Sequence, residues 1–408
     1  MRLLGMIGAL ILISLAFNIA TGGLFLSPRN VFNITIQTVS VAIMATGMVF
    51  VIVTRHIDLS VGSILAFASA VAGVLQVRWL TQDLGLELGN PLIAPIAILG
   101  ALLVGTLIGA LNGWLAGYQN IPSFIVTLGG LLVWRNVAWY LTSGQTLGPL
   151  DRTLLIFGGA EGTLGPTWSW IVAVVAAAAA VLAIWNGRRN KARHGFPVKP
   201  AWAEVVLTVV IVGAILGFIA VLNAYLVPEN KLKRIFEARG ETMPEGYTAG
   251  YGLPISVLIL IVVAIVMTVI ARKTRFGRYI FATGGNPDAA LLSGIDTRWL
   301  TVKVFALMGF MAGLSAVVAQ ARLQNHTNDI GFQDELRVIA AAVIGGTALA
   351  GGVGTIYGAI LGAFIVQAIQ SGMGMVGVDT PLQNIVVGLV LVVAVWIDGI
   401  YRKRLGVR

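Results

Sequence analysis

The run IAPIAILGALLVGTLIGALNGWLAG, residues 93–117, carries no charge over 25 positions and sets Gly105, Gly109, Gly113 and Gly117 four residues apart. About 20 predominantly apolar residues are enough to cross the hydrocarbon of a bilayer as a helix. Four-residue spacing puts the glycines on one face, where missing side chains let a second backbone come close. The stretch reads as a tightly packed membrane helix, and most of the chain repeats its character. Further apolar segments run over about 3–20, 32–53, 60–80, 123–142, 169–186, 204–227, 254–271, 301–320 and 382–401. Between the last two lies a pair broken by glycines, about 336–349 and 354–371, whose first member is short for a full crossing. The count is ten spans plus this pair, twelve if both members cross. Gly354, Gly358 and Gly362, and the pair Gly309 and Gly313, repeat the small-residue spacing.

Composition points the same way. The 408 residues are 57% hydrophobic and 11% charged, against about 25% charged in an ordinary soluble domain. An all-α polytopic membrane protein of about 10–12 transmembrane helices is expected, as one domain over 1–408. A β-barrel would show short alternating segments instead. There is no cysteine, and the histidines are His56, His194 and His326. Disulfides, thiolate metal sites, cysteine nucleophiles and a His-rich metal site are therefore excluded. No nucleophile, base and orienter stand together, so neither an enzyme nor a cofactor is expected.

The net charge of +10 is read as basic loops facing anionic membrane lipid, not as a nucleic-acid surface. Arg188, Arg189, Lys191, Arg193 and Lys199 fill 187–203, and Arg272, Lys273, Arg275, Arg278 and Arg298 fill 272–300. With Arg402, Lys403, Arg404 and Arg408 they mark the cytoplasmic side and place both termini there. Asp83, Glu87, Asp151, Glu161, Asp329 and Asp334 fall in the opposite loops, as does the mixed-charge stretch 228–252. The apolar run after Arg2 reads as a first membrane helix in preference to a signal peptide cleaved near Ala20.

No lysine follows a glycine, so the chain has no P-loop of its own. No paired carboxylates of the kind used by ion-coupled carriers fall inside the spans, and Arg135 is the one basic residue well within a span. It reads as snorkelling or as pairing with a backbone carbonyl. The interior polar residues are uncharged: Asn18, Gln37, Asn112, Asn136, Gln367, Gln370 and Asn384. They suit a neutral polar solute such as a sugar, and also interhelical hydrogen bonds; Asn112 and Asn136 are taken as pathway residues.

Two polar motifs remain. In His56-Ile57-Asp58-Leu59-Ser60-Val61-Gly62-Ser63, Asp58 and Ser60 are placed to cap the next helix, whose positive end favours a carboxylate. In the basic loop, Asn286 is a good N-cap, Pro287 a good first helical residue and Gly294 a good stop. A short helix over about 287–293 is predicted, with glycines at both ends. Two turns are marginal alone, so it needs the bundle or a partner to hold it.

At these residues the chain resembles the membrane permease subunits of bacterial monosaccharide ABC importers of the ribose and xylose type. The matching pieces are Ile57 to Ser63, Pro122-Ser123-Phe124-Ile125-Val126-Thr127-Leu128, Gly277-Arg278-Tyr279 through Gly294-Ile295, and Ile339 through Gly352. Two extra apolar segments with a basic linker, about 169–227, and Trp114 after Asn112-Gly113 are similar to the xylose permeases. The resemblance implies an inner-membrane subunit that forms the sugar pathway, probed by three kinds of partner. These are a cytoplasmic ATP-binding subunit, a periplasmic sugar-binding protein and a second permease chain, expected as a homodimer. It also implies that the short helix, about 286–294, is the coupling helix, a role falling on Gly284, Gly285, Asn286, Ala289, Ala290, Ser293 and Gly294. Asp58, Ser60, Gly62 and Ser63 would form the family motif at the span entry. An ATP-independent sugar carrier is the alternative; the glycine-bounded loop helix and the lack of ionisable residues in the spans speak against it.

Overall fold

The computed structural model describes residues 2–238 and 240–404; Met1, Arg239 and residues 405–408, with the expected cytoplasmic Arg408, lie outside the described residues. In chain order the helices are α1 (Arg2–Ala20), α2 (Pro28–Val53), α3 (Val61–Gly73), α4 (Ile93–Gly117), α5 (Ser123–Thr142) and α6 (Arg152–Leu155). They continue as α7 (Gly165–Arg193), α8 (Ala201–Ala224), α9 (Glu229–Ala238), α10 (Ile255–Lys273), α11 (Arg275–Gly285) and α12 (Pro287–Leu292). The last four are α13 (Thr297–Leu323), α14 (Asp334–Ile344), α15 (Ile356–Met375) and α16 (Thr380–Arg404). α3 runs on as a π-helix over Val74–Asp83. Among the described residues, extended pairing is confined to isolated bridges. Ten helices in the described residues are long and apolar enough to cross a membrane, and α16 occupies the last expected span.

The chain divides into two compact units: residues 1–26, 34–162 and 256–408, and residues 27–33 with 163–255. In the smaller unit the two extra apolar segments are α7 and α8, joined by a short basic turn and an Arg188–Glu204 ion pair at 2.6 Å. Tyr225 stacks on Tyr251 at 4.8 Å, and Phe32 meets both rings at 5.2 Å.

In the larger unit the glycine face of α4 packs against α13. A Cβ on Gly105 would meet the Gly309 carbonyl, one on Gly109 the Phe305 carbonyl, and one on Gly117 the Arg298 carbonyl. Gly309 and Gly313 face back onto Gly105 and Ala101. The two backbones touch along the whole seam, as the spacing predicts, and dispersion replaces the hydrophobic drive that lipid surroundings remove. α2 lies against α13, where Ser40 and Ser315 share a 2.7 Å hydroxyl bond and Gly47 admits Met308.

The glycine-broken pair resolves into a half-helix and a full one. α14 has 11 residues, about 16 Å long, half of a hydrocarbon core of roughly 30 Å. α15 runs antiparallel to it, with Gly362 against the Ala341 carbonyl and Gly358 against the Gly345 carbonyl. The non-helical stretch 345–355 then reaches the end of α2, where the Gly352 amide donates to the Val53 carbonyl at 3.0 Å. The segment preceding α14, residues 324–333, folds back into the bundle, with left-handed Gln324 and Gln333 at its two ends. Non-helical backbone at this depth survives only where protein satisfies it.

Leucine at position 109 has no room against the Phe305 carbonyl. Overpacking of this kind costs about 1–3 kcal/mol, so Gly109→Leu should lower the melting temperature in detergent by several degrees. Gly213→Leu, with nothing within 4 Å of its added Cβ, should leave it near the parent value. Equal melting of the two variants would remove the glycine seam as a packing device.

Candidate functional site

The basic loop forms an arm of two helices. Thr274 caps α11 by accepting the Gly277 amide at 3.1 Å. Asn286 is extended (φ −149°) and caps α12, its Oδ1 accepting the Ala289 amide at 3.0 Å. The Ser293 hydroxyl donates to the Ala289 carbonyl at 2.7 Å, and Gly294 turns with φ +82°. Asp296 then caps α13 through the Trp299 amide. The predicted short helix is therefore present, but one expectation is corrected: Gly284 and Gly285 are not a turn. They are the last residues of α11, and the break falls at Asn286, whose side chain caps the next helix. Gly284 is small because the Val53 carbonyl and the Gly352 amide press on it, whereas Gly285 has nothing within 4 Å.

Arg55 locks the arm to the bundle. It sits in the left-handed region (φ 66°) just past α2, a conformation that costs a non-glycine residue about 1–3 kcal/mol. From there Nε donates to the Gly284 carbonyl at 2.8 Å and Nη2 to the Gly285 carbonyl at 2.9 Å. These are the orphan carbonyls at the negative end of α11, where a cation is favoured. On α12, Ala290 is buried, while Asn286, Ala289, Ser293 and Gly294 are exposed. The sequence reading passed over Leu291 and Leu292, which are 61% and 89% exposed; two leucines ending a two-turn helix are the signal that marks them.

The motif after α2 is a knot, not a helix cap. Ser60 holds the N-cap position of α3, but its side chain makes no cap bond. The Asp58 Oδ1 accepts the Ser60 amide at 2.8 Å and the Ser60 hydroxyl at 2.6 Å. Asn112 of α4 donates to the same hydroxyl at 3.0 Å, and Ser63 donates to the Ser60 carbonyl at 2.8 Å. Gly62 is bare because the Gly331 carbonyl and the Glu335 carboxylate lie against it. Beside the knot, His56 reaches Ser123 of α5 at 3.2 Å and Thr301 of α13 at 3.4 Å. Asp58 is fully buried, and burial raises its pKa to about 6 against the weaker pull of the two Ser60 bonds. Its Oδ2 is buried with no hydrogen-bond partner among the described residues.

At the opposite end of the larger unit lies a cavity of about 480 Å³. Gln37 and Ser40 of α2, Arg322 of α13, Asp334 and Arg337 of α14, Gln367 and Gln370 of α15 and Gln383 of α16 line it. Gln367 donates to Gln37 at 2.8 Å, and Arg337 pairs with Asp334 at 3.1 Å. Arg135 holds the backbone of two lining residues and a neighbour: its guanidinium donates to the carbonyls of Asn328, Ile330 and Gly331 at 3.1, 2.7 and 2.8 Å. It pairs with backbone carbonyls, one of the two expectations from sequence.

Three expectations change here. Asn112 does not face the cavity, because it is buried in the Ser60 knot. Asn136 is exposed and bonds the Leu132 carbonyl of its own helix. Gln37, Gln367 and Gln370, noted from sequence only as interior amides, are the ones brought together. The interior also holds charge after all: Asp334 and Glu335, the former assigned to an outer loop, are buried within the bundle beside Arg337.

Compared with known proteins, residues 30–395 match the family model described as branched-chain amino acid transport system / permease component. The chain is 36% identical over 405 residues to the xylose transport system permease protein XylH of Haemophilus influenzae, covering 98% of this chain and 96% of that one. It is 38% identical over 403 residues to XylH of Escherichia coli K12, covering 98% and 92%. To the ribose import permease protein RbsC of Escherichia coli K12 it is 30% identical over 393 residues, covering 96% and 92%. No solved structure matches.

Asp58→Asn keeps an oxygen for the Ser60 bonds and removes the titration. A raised carboxyl pKa makes the folded state hold a proton that the unfolded state releases. Stability from this group is full below the unfolded value near 3.8 and is lost as pH rises towards about 6. The parent should therefore lose more melting temperature between pH 4 and 7 than Asp58→Asn does. Parallel pH profiles would show that folding does not raise the Asp58 pKa.

Proposed function

The chain belongs to the permease-component family of branched-chain amino acid transport systems, and from this membership and its xylose- and ribose-permease relatives we infer what it carries and what drives it. It is the transmembrane permease subunit of an ATP-binding cassette importer for a monosaccharide, and not an enzyme. Xylose or a related pentose is the sugar we propose, on the near-full-length similarity to permeases named for xylose transport. An ATPase and a sugar-binding protein are the partners that the xylose-permease relatives imply, and the missing P-loop fits an ATPase on another chain. The ATP-independent carrier finds no support among the relatives.

The observation that carries the coupling role is the arm. α11 and α12 are each capped, Arg55 grips the α11 end, and Leu291 and Leu292 stand exposed on α12. An apolar knob beside a fixed helix end is what a partner subunit can seat on and push. Ala290 seats the helix on the bundle, while Asn286, Ala289, Ser293 and Gly294 offer a small exposed surface beside the leucines. The loop distribution of basic residues supports a cytoplasmic arm and cytoplasmic termini. The cavity then opens towards the periplasm, where the binding protein delivers. A second copy of the chain completes the pathway as a homodimer within the membrane lipid.

Uptake of labelled xylose by cells carrying the importer should stop on ATP depletion and persist under a protonophore while ATP is maintained; the reverse would establish an ion-driven carrier. In the same system Arg55→Ala and Asn286→Ala should cut uptake about ten-fold or more while ATP hydrolysis continues. Normal coupled uptake in both would remove the arm as the transmission. Separately, a reporter fused after Arg408 should read cytoplasmic, and a periplasmic signal would overturn the assigned orientation.

A further inference from the structure

The cavity is more than a gap between helices. Its polar side chains converge from α2, α13, α14, α15 and α16, which are far apart in sequence, and it remains open although interior space is normally filled. A volume near 480 Å³ falls in the range of about 300–1,000 Å³ for small-molecule sites. Gln37, Gln367, Gln370 and Gln383 line the cavity. Gln367 donates to Gln37 and Gln383 to the Val378 carbonyl, each at 2.8 Å. An amide, with two N–H donors and two acceptor lone pairs, keeps capacity for a ligand beyond one such bond. A sugar hydroxyl is likewise both donor and acceptor, so an amide lining matches a polyol without regard to which partner donates. The charges cancel: Arg322 and Arg337 stand against Asp329 and Asp334. A lining of zero net charge gives neither an anion nor a cation an electrostatic advantage. The Nε of Arg322 is buried without a hydrogen-bond partner, a donor still to be satisfied.

We propose that this cavity is a binding site for a neutral monosaccharide held within a single permease chain, with Gln37, Gln367, Gln370 and Gln383 contacting the hydroxyls beside the Asp334–Arg337 pair. The proposal rests on the importer reading above and adds where the sugar lodges. α14 carries two of the charged lining residues at its first turns, and its far end leads to the stretch tied to Val53. The site therefore stands on the element that the arm can move.

The chain has no cysteine, so single cysteines report cleanly. Gln370→Cys and Gln383→Cys are placed in the complete importer, reconstituted in nucleotide-free liposomes. A membrane-impermeant maleimide is added from the cavity side, with or without D-xylose at high concentration. Glu87→Cys, in an exposed loop away from the lining, is the control. Both lining cysteines should label, and xylose should slow labelling at least three-fold, while leucine and gluconate do not and Glu87→Cys is unaffected by any of them. Labelling of both lining positions unaltered by xylose, or absent altogether, would overturn the site. ATP-driven xylose uptake by the unsubstituted importer separates the two claims. Uptake without protection leaves the importer and removes the site, and protection without uptake leaves the site and removes the importer.

Discussion

Backbone that leaves the helix inside a membrane must find its hydrogen-bond partners within the protein, and Arg135 meets that requirement here. Arg135 lies 12 residues after Ser123, about 18 Å along α5 at 1.5 Å per residue, near mid-membrane. Its planar fork collects three carbonyls of the segment 324–333, the last of them 196 residues away in sequence. Without that cation the Asn328 and Ile330 carbonyls would lose the partner it supplies within the protein, at a cost of several kcal/mol each where no water replaces it. With it, α14 can begin halfway across the bilayer, its N-terminal Asp334 and Glu335 buried beside Gly62. Gly62 belongs to the motif after α2, so the knot, the re-entrant segment and the half-helix depend on one guanidinium. Burying the charge is tolerated because the partners are fixed dipoles and nearby carboxylates.

The two ends of the larger unit are joined by hydrogen bonds as well as by packing. At one end Arg55 ties α11 to the end of α2, and Val53 accepts from Gly352. The stretch 345–355 leads straight into α14 and α15 from either side. At the other end these same helices carry Asp334, Arg337, Gln367 and Gln370. The α4–α13 seam behaves differently. Backbones in contact over four glycine positions cannot shift without losing dispersion along the whole line. In the proposed coupling the seam would be the fixed frame and α11 with α14 the part that turns.

Much of this was legible in the sequence, and the boundary of legibility is physical. Residues 93–117 and 123–142 became helices with the bounds read from apolar length, because no tertiary contact competes with that signal in lipid. The glycine spacing announced a seam and left its partner unnamed. Asp334 reads from sequence as an outer-loop residue and is instead buried, as is the neighbouring Glu335. Arg135, which makes their burial possible, is supplied by the fold. Asn112 and Asn136 do not line the cavity, for a related reason. An interior amide has the same composition whether it bonds a neighbouring helix or faces a cavity, and only the fold distinguishes Asn112 on Ser60 from Gln370 on open space. The family resemblance located the arm; Arg55, one arginine beyond an apolar span, carried no sequence signal that it would reach Gly284.

A neutral solute makes the arm a necessity. A membrane potential acts on charge, and a sugar has none, so the potential cannot pull it inward. The chain holds no P-loop that would let it spend ATP directly. The work must therefore arrive mechanically, at a surface another subunit can grip, and reach the solute through elements stiff enough to transmit it. In the proposed coupling, exposed Leu291 and Leu292 would be that surface, and the two Arg55 bonds with the Val53–Gly352 bond would be the hydrogen-bonded route from it towards α14. A helix of 11 residues suits the last step better than a full span would. It is anchored at its inner end and stops at the cavity wall, so a small rotation there moves Asp334 and Arg337 without displacing the seam behind them.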